Sequence, residues 1–317
     1  MVTGASTSRF TWLLIALAAC GGRSASMQLA STVVSAQREP SRNPAELRAD
    51  YAKRTYPVAE KIPAALLKRV DVKEEDIAGN HVYTLTPKEK RSHWHIVYTH
   101  GGSFVHGIVG AHWDIIGELI TATGATVTLP DYPLAPEHPH PAAHAFLATL
   151  YGQLVAQVGA QNLVLIGDSA GGNLALIETL QARDAHLALP ARVILFSPWV
   201  DLTMHNPALK KIQLRDPMLR WYEMAEYGRW WAGDQDRADP WVSPINADLH
   251  GLPPVEIFQG TDDILYPDAK LLAERITAAG GTAAFHETRG AFHDFVAVTF
   301  APEAKSVYAQ IATSLGR

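Results

Sequence analysis

Short apolar runs and longer amphipathic stretches alternate along the chain from His81 onward. The apolar runs predict strands near 81–86, 94–99, 125–130, 162–166, 192–197, 254–259 and 282–287. The amphipathic stretches predict helices near 112–123, 142–157, 171–183, 267–279 and 302–315. Regular alternation of this kind favours the α/β class: a mainly parallel central sheet, joined by right-handed crossovers, with helices on both faces.

Two segments break this rhythm and predict a helical cap. Residues 44–76 carry apolar positions at helical spacing, and the stretch from 201 to 240 separates two strands by far more than a crossover helix requires. We expect cap elements at about 44–78 and 203–240 within one domain, residues 44–317. The second cap element holds five large aromatic residues, namely Trp221, Tyr222, Tyr227, Trp230 and Trp231. Two interpretations stay open for these rings: they bury the insertion against the sheet, or they wall a pocket.

The first 43 residues are interpreted as an export signal followed by a tether. Arg9 precedes the apolar run 10–17, which is too short to span a bilayer stably as a mature helix. Leu17-Ala18-Ala19-Cys20 resembles the bacterial lipobox, whose cysteine is acylated. We therefore expect an exported lipoprotein that is anchored to a membrane through Cys20 and does not span it.

Residues 24–43 are rich in Ser, Ala, Arg and Pro without periodicity, which predicts a tether with little structure. Two alternatives to the anchored lipoprotein stay open. One is plain secretion after a later cleavage, near Ala25 or Ala36, and the other is a cytoplasmic protein whose translation starts at Met27.

The composition narrows the partners and the chemistry. The chain of 317 residues is 47% hydrophobic and 19% charged, which suits one large α/β domain. The formal charge is −5 and the sequence has no long basic run that would attract the phosphates of a nucleic acid. Small molecules are therefore the expected partners. Cys20 is the only cysteine, so a thiol catalyst or a zinc–cysteine cluster is excluded from the domain.

The sequence contains five grouped histidines but no His-Glu-x-x-His run that would bind a metal ion. We expect these histidines to be surface or packing residues, namely His93, His95, His138, His140 and His144.

The stretch Gly167-Asp168-Ser169-Ala170-Gly171-Gly172 lies between an apolar strand and a helix. Glycines two positions before and after Ser169 allow a tight bend that lifts its hydroxyl clear of the sheet, as in a nucleophile elbow. Such a short pattern also occurs in ordinary glycine turns. A second glycine turn, His100-Gly101-Gly102, follows another strand and offers backbone N–H groups to an oxyanion, so the pair of turns favours catalysis by Ser169. Asp168 is expected to brace the elbow through hydrogen bonds.

A nucleophilic serine needs a histidine base and a carboxylate that orients it. His293 lies in the turn after the last strand and is the better base, because His286 lies within that strand. Asp262 and Asp263 end the preceding strand, and neighbouring side chains of an extended segment diverge, so only one of them should reach the histidine. By the same rule Asp294 should point away from His293.

Six motifs then carry a resemblance to a known family: His100-Gly101-Gly102, Asp131-Tyr132-Pro133-Leu134-Ala135-Pro136-Glu137-His138-Pro139, Gly167-Asp168-Ser169-Ala170-Gly171-Gly172, Ser197-Pro198-Trp199-Val200-Asp201-Leu202, Ser243-Pro244 and Gly290-Ala291-Phe292-His293. From about residue 97 to 298 the chain resembles α/β-hydrolase fold carboxylesterases of the hormone-sensitive-lipase-like branch. It departs from them at Ser103, where many members have a third glycine, and at Pro133, where many have an arginine. Both departures leave the substrate size open.

The resemblance implies roles for several residues. The acid is similar to Asp263 rather than Asp262, because the family motif places it two residues before a leucine, here Leu265. His100 is implied to brace the glycine turn. The implied oxyanion donors are the backbone N–H groups of Gly101, Gly102 and Ala170.

Together these residues predict a serine carboxylesterase. Ser169, His293 and Asp263 would hydrolyse esters of short to medium apolar acids through an acyl-enzyme, with no cofactor or metal. A lactonase, an amidase or an acyltransferase would use the same triad. An alternative that is not an enzyme is a homologue that only binds a small ligand. The presence of all three triad members argues against it.

Overall fold

The computed structural model describes residues 22–37, 43–53 and 59–316, and an eight-stranded sheet lies at the centre of this part of the chain. The strands are β1 (Val70–Ile77), β2 (Asn80–Pro87), β3 (His95–Thr99), β4 (Thr126–Pro130), β5 (Leu163–Asp168), β6 (Arg192–Phe196), β7 (Val255–Gly260) and β8 (Ala283–Thr288). Their order across the sheet is β1-β2-β4-β3-β5-β6-β7-β8. β2 pairs antiparallel with both β1 and β4, and all pairs from β4 to β8 are parallel.

Helices cover both faces of this sheet. The described α-helices are α1 (Ala25–Gln37), α2 (Pro44–Lys53), α3 (Ala64–Leu67), α4 (Gly110–Thr123), α5 (His140–Val158), α6 (Ala170–Asp184), α7 (Leu209–Ile212), α8 (Trp221–Ala232), α9 (Tyr266–Ala278) and α10 (Pro302–Ser314). The core of one face holds residues of α5, α6 and α9, and the core of the other face holds residues of α1, α4 and α10. The mainly parallel α/β sheet with helices on both faces is therefore confirmed.

The inner parallel strands, β3 to β7, are buried on both sides, as β6 illustrates. Val193 and Leu195 lie in the core with α5, α6 and α9, whereas Ile194 and Phe196 lie in the core with α1, α4 and α10. Successive side chains of a strand point to opposite faces, so a strand covered on both faces reads as an unbroken apolar run. The seven predicted strands and the five predicted helices all occur close to their predicted positions.

Two expectations for the N-terminal part are wrong. Residues 24–43 are not simply a tether with little structure, because α1 lies within them and buries Met27 completely in the core that contains α10. Residues 70–76, which the pattern predicts to be helical, belong to the edge strand β1. Most of its residues are charged, with an unbroken charged run from Lys73 to Asp76, because an edge strand with one face towards solvent needs few apolar side chains.

The predicted signal and Cys20 lie outside the described residues. In the described ranges, no helix combines the length and the apolar character that a membrane crossing requires. Export and anchoring through Cys20 therefore remain predictions from the sequence.

Candidate active site

Ser169 lies in the sharp turn between β5 and α6. Its φ of 52° and ψ of −118° are values that residues with side chains rarely adopt, so the turn is strained. The neighbouring strand fixes the turn, because the N–H of Ser169 donates to the carbonyl oxygen of Phe196 at 2.8 Å. A Cβ added at Gly171 would lie 1.9 Å from the carbonyl oxygen of Thr99, so only glycine fits there. These constraints are those of a nucleophile elbow rather than of an ordinary glycine turn.

His293 and Asp263 complete a chain of hydrogen bonds to Ser169. His293 Nε2 lies 2.9 Å from Ser169 Oγ, and His293 Nδ1 lies 3.0 Å from Asp263 Oδ2. Asp263 is held in place by the Gln259 side chain, which donates at 2.6 Å, and by the N–H of Leu265, which donates at 2.8 Å. All members of the chain are at most 2% exposed. The structure thus brings together the three residues that the sequence predicts as a triad.

The two alternative residues lie elsewhere. His286 is part of β8, where its ring stacks on Phe258 at a centroid distance of 4.4 Å. Asp262 turns away from the histidine and forms an ion pair with Arg23, with a distance of 2.9 Å between Arg23 Nη2 and Asp262 Oδ2. Both choices made from the sequence therefore agree with the geometry.

Asp294 contradicts the expectation that its side chain points away from the histidine. Its Oδ2 lies 3.1 Å from His293 Nε2, on the side of the ring that also faces Ser169. The divergence of neighbouring side chains holds for extended backbone, but Asp294 has a left-handed φ of 50° in a turn. Its N–H donates to Ser197 Oγ at 3.1 Å, which fixes this conformation. Two carboxylates, one at each ring nitrogen, therefore flank the histidine.

These carboxylates change the acid–base properties of the histidine. Burial alone lowers the pKa of His293, but the charges of Asp294 and Asp263 outweigh burial and hold that pKa well above its ordinary value of 6.5. Burial raises the pKa of Asp294 to about 7, against the opposing charge of His293. The two carboxylates thus strengthen His293 as a base.

The glycine turn before α4 requires one correction. Gly101 is wrong as an oxyanion donor, because its N–H already donates to Asp168 Oδ1 at 2.9 Å. In the described part of the chain, no acceptor engages the N–H groups of Gly102, Ser103 or Ala170. Gly102 and Ser103 line the cavity that contains Ser169, and Ala170 begins α6, whose first N–H groups have no partner within the helix. Reasoning from the sequence missed Ser103, although its place directly after the two glycines was a usable signal.

Asp168 and His100 brace the two turns, as predicted. Asp168 accepts hydrogen bonds from the hydroxyl of Tyr98 and from the N–H of Gly101, which ties the elbow to the glycine turn. His100 Nδ1 donates to the carbonyl oxygen of Gly101 at 2.7 Å. Its ring stacks on Tyr132 at a centroid distance of 4.3 Å, and burial lowers the pKa of His100 to about 3. His100 is therefore a neutral packing residue and not a second base.

A cavity of about 340 Å³ lies over Ser169. Its cap side is mainly apolar, with Met218, Leu219, Met224 and Tyr227, and it also carries the charged residues Arg220 and Glu223. Ser103, the first departure from the family pattern, also lines it, and its Oγ lies 3.6 Å from the sulfur of Met224. Size and lining suit a small, largely apolar group bound next to the nucleophile.

Most aromatic rings of the insertion serve packing rather than the cavity. Trp231 is fully buried and stacks on Phe104 at a centroid distance of 4.2 Å. Trp221 donates its indole N–H to the carbonyl oxygen of Met204 at 2.8 Å. Among the five aromatic residues of the insertion, Tyr227 lines the cavity.

Pro133, the second departure from the family pattern, lies away from this cavity. It lines a separate hollow of about 720 Å³ together with Asp131 and Glu137. No residue of the predicted triad lines that hollow. We therefore expect Pro133 to leave the room beside Ser169 unchanged.

Three of the grouped histidines, His95, His140 and His144, pack into the protein, whereas His93 and His138 are exposed. His95 Nε2 lies 2.8 Å from Thr128 Oγ1, and burial lowers the pKa of His95 to about 4. His140 and His144 lie one turn apart on α5, with 3.4 Å between their Nδ1 atoms. Among the residues that the structure describes, no three His, Cys, Asp or Glu side chains are grouped to hold a metal ion.

Several known proteins with a similar sequence or fold are named as esterases or hydrolases. Residues 96–297 match a family described as alpha/beta hydrolase fold. The chain is 34% identical to an esterase of Acinetobacter venetianus over 221 residues. This aligned stretch makes up 68% of this chain and 73% of that protein. It is also 33% identical to an acetyl-hydrolase of Streptomyces hygroscopicus over 199 residues, which make up 62% of this chain and 67% of that protein. The crystal structure of an esterase/lipase from an uncultured bacterium matches with a TM-score of 0.79 and 30% identity, over 92% of this chain and 97% of that chain.

Proposed function

This chain belongs to the α/β-hydrolase fold family, and from that membership we propose that it hydrolyses carboxylic esters with Ser169 as the nucleophile. The observation that carries the proposal is the buried chain of hydrogen bonds from Ser169 through His293 to Asp263, next to an apolar cavity. A serine becomes a useful nucleophile only when a base takes its proton, and this arrangement supplies the base and its orienting acid.

The reaction proceeds through an acyl-enzyme. His293 Nε2 takes the proton of Ser169 while Oγ attacks the ester carbonyl carbon, and Asp263 stabilises the imidazolium that forms. His293 then gives the proton to the leaving alcohol as the bond between the carbonyl carbon and the alcohol oxygen breaks. Water, deprotonated by His293, then attacks the acyl carbon. The bond between that carbon and Ser169 Oγ breaks, the acid leaves, and His293 returns the proton to Oγ.

Three backbone N–H groups are proposed to donate hydrogen bonds to the negative oxygen of each tetrahedral intermediate. These belong to Gly102, Ser103 and Ala170, since the N–H of Gly101 is engaged by Asp168. Loss of one donor of this type costs about 10²–10³ in rate. Ser103 contributes through its backbone, so a serine serves this purpose as well as the third glycine of related proteins.

The proposed substrates are esters of short to medium apolar acids. A cavity of about 340 Å³ accommodates an acyl chain of that size beside Ser169, and the thioether and alkyl groups of Met218, Leu219 and Met224 favour an apolar chain. The names esterase and acetyl-hydrolase of two relatives support an ester with a small acyl group.

Mass spectrometry of the enzyme mixed rapidly with a p-nitrophenyl ester tests this function. We expect the peptide that contains Ser169 to gain the mass of one acyl group, with a burst of nitrophenol before steady turnover. A panel of nitrophenyl esters of increasing chain length, lactones and anilides then separates an esterase from a lactonase or an amidase. Binding of esters without any acylation of Ser169 would instead indicate a ligand-binding homologue.

Asp294→Asn should extend activity to lower pH. His293 accepts a proton only when it is neutral, and its raised pKa means that kcat/KM of the wild type still rises with pH above 6.5. Asparagine removes one of the two charges that raise this pKa, so the acidic limb of the profile moves to lower pH. The measurement is kcat/KM for a nitrophenyl ester as a function of pH.

Glu223→Gln is the matched control for this experiment. Glu223 also lines the cavity, but its Oε1 accepts a hydrogen bond from Tyr222 at 3.0 Å and lies 3.8 Å from Arg220 Nε. Its loss should leave the acidic limb in place. An Asp294→Asn profile with the acidic limb of the wild type would contradict the influence of Asp294 on the histidine.

We further propose that the enzyme is exported and anchored through an acylated Cys20, as the lipobox-like sequence suggests. Mass analysis of the mature N-terminus tests this. An unmodified N-terminus at Met27 would indicate a cytoplasmic enzyme, and one near Ala25 or Ala36 would indicate plain secretion.

A further inference from the structure

Arg23 links the N-terminal segment to distant parts of the chain. Its Nε donates to Asp262 Oδ2 at 2.9 Å and to the carbonyl oxygen of Gly290 at 3.1 Å. Its terminal nitrogens donate to Ser31 Oγ at 2.6 Å and to the carbonyl oxygen of Arg215 at 2.5 Å. The side chains of Arg23 and Asp262 are only 14% and 10% exposed, so solvent screens their ion pair less than a surface pair. One guanidinium thus holds four segments together.

The backbone of the N-terminal segment also packs tightly against the loop that carries His293. A Cβ added at Gly290, whose φ is +72°, would lie 2.7 Å from the carbonyl oxygen of Gly22 and 2.9 Å from the Cα of Arg23. Helix α1 fixes the other end of the segment, because Met27 is completely buried. The segment is therefore built into the domain at this position.

Two partners of Arg23 belong to the loops that carry the proposed base and acid. Asp262 directly precedes Asp263, and Gly290 lies three residues before His293. The same nitrogen of Arg23 bonds to both loops, and it reinforces a spacing that direct bonds also hold: the N–H of Asp262 donates to the carbonyl oxygen of Ala291 at 2.9 Å, and the N–H of Gly290 donates to Thr261 Oγ1 at 2.8 Å. The hydrogen bond between Asp263 and His293 depends on that spacing.

The third partner connects the cap to the acid loop. Arg215 precedes Asp216, a buried carboxylate whose Oδ2 accepts the N–H of Ile264 at 2.9 Å. Asp216 Oδ1 accepts the N–H groups of Met218 and Leu219, whose side chains line the cavity. Arg23 therefore supports the cap segment where this segment contacts the residue after the proposed acid.

We propose that Arg23 is a positioning residue for ester hydrolysis, and that the fully active enzyme is a form that retains it. The proposal rests on the proposed function, because it concerns the alignment of Asp263 and His293. Arg23 does not line the cavity and touches no reacting group. Its loss should therefore lower kcat and leave KM nearly unchanged.

The predicted forms of the mature N-terminus differ in whether they keep Arg23. Processing at Cys20 leaves Arg23 in the mature chain, three residues after the cysteine. Cleavage at Ala25 or Ala36, or translation from Met27, removes it. We expect full activity only from the first form.

The test compares the wild type with Arg23→Gln, Arg23→Lys and a chain that begins at Met27. Kinetics of a nitrophenyl ester are measured well below the melting temperature of each protein. For Arg23→Gln and for the shortened chain we expect kcat to fall about 10-fold to 10²-fold, because catalytic groups that are misplaced by a fraction of an ångström react more slowly. KM should stay within about twofold of the wild-type value. Arg23→Lys should recover part of the loss, because an ammonium keeps the charge near Asp262 but cannot span all four acceptors.

Arg192→Gln is the matched control. Arg192 also binds a carboxylate, Glu256, at 2.8 Å and a backbone carbonyl, that of Ser314, at 3.3 Å. It lies at the start of β6, at the opposite end of the parallel strands from Ser169. We expect this variant to melt at a lower temperature and to keep the kcat of the wild type.

The possible outcomes are distinct. An active wild type together with an Arg23→Gln variant of equal kcat would overturn the positioning role alone. An equal loss of kcat in Arg192→Gln would also overturn it, since activity would then follow general stability. A wild type that forms no acyl-enzyme with any ester would overturn the proposed function first, and the positioning role with it. If the shortened chain fails to fold, Arg23→Gln and Arg23→Lys still decide the question.

Discussion

Ser169→Ala should abolish ester hydrolysis while the protein keeps its melting temperature. The hydroxyl is the nucleophile of the proposed mechanism, and loss of such a serine lowers kcat by about 10⁶-fold. Stability should change little, because the strained turn is fixed by the Ser169 N–H bond to Phe196 and by close packing at Gly171. Among the described residues, the hydroxyl bonds only to His293 Nε2, which keeps Asp294 Oδ2 as a partner at 3.1 Å when the hydroxyl is lost. Hydrolysis of nitrophenyl esters and thermal unfolding are the two measurements.

Ser243→Ala is the control for this variant. Ser243 is also fully buried, and its Oγ donates to the carbonyl oxygen of Arg237 at 2.6 Å and accepts the N–H of Leu202 at 2.7 Å. Its loss should lower the melting temperature by removing buried hydrogen bonds but should leave turnover in the range of the wild type. Activity retained by Ser169→Ala would refute the nucleophile assignment.

The second large effect concerns the two adjacent acids. Asp263→Asn should lower kcat by about 10⁴-fold, because an amide at Nδ1 favours the wrong tautomer of His293 and cannot stabilise the imidazolium. Asp262→Asn should cost far less, since Asp262 contacts Arg23 and not the histidine. Steady-state kinetics of both variants on one ester check the ranking. The reverse order would show that Asp262 is the acid.

The sheet could be predicted in detail from the sequence for a definite reason. Strands such as β5 and β6 are covered on both faces, so each reads as an unbroken apolar run, and the amphipathic helices between them differ clearly in period. The edge strand β1 lacks this signal, because its side chains are largely exposed. Helix α1 has only weak apolar periodicity, and its stability comes from contacts such as the burial of Met27 rather than from its own pattern.

The site was predictable where chain order and residue type decide it. Ser169, Asp263 and His293 each follow a strand, and parallel strands bring their carboxyl ends to one edge of the sheet. Rules about neighbouring residues failed at Asp294, because its left-handed φ of 50° replaces the extended geometry that the rule assumes. The assignment of Gly101 failed because its N–H finds an acceptor 67 residues away, in Asp168.

The sequence by itself determined the layout of the α/β sheet, the elbow with its serine, and the histidine and carboxylate that follow in order, because these depend on local periodicity and on glycine at fixed positions. Only the tertiary structure decided which backbone N–H groups are open to an oxyanion and which carboxylates flank His293. It alone brought Arg23 to the acid loop, 239 residues away along the chain. Hydrogen bonds between distant residues have no period in the sequence, so only the folded chain reveals them.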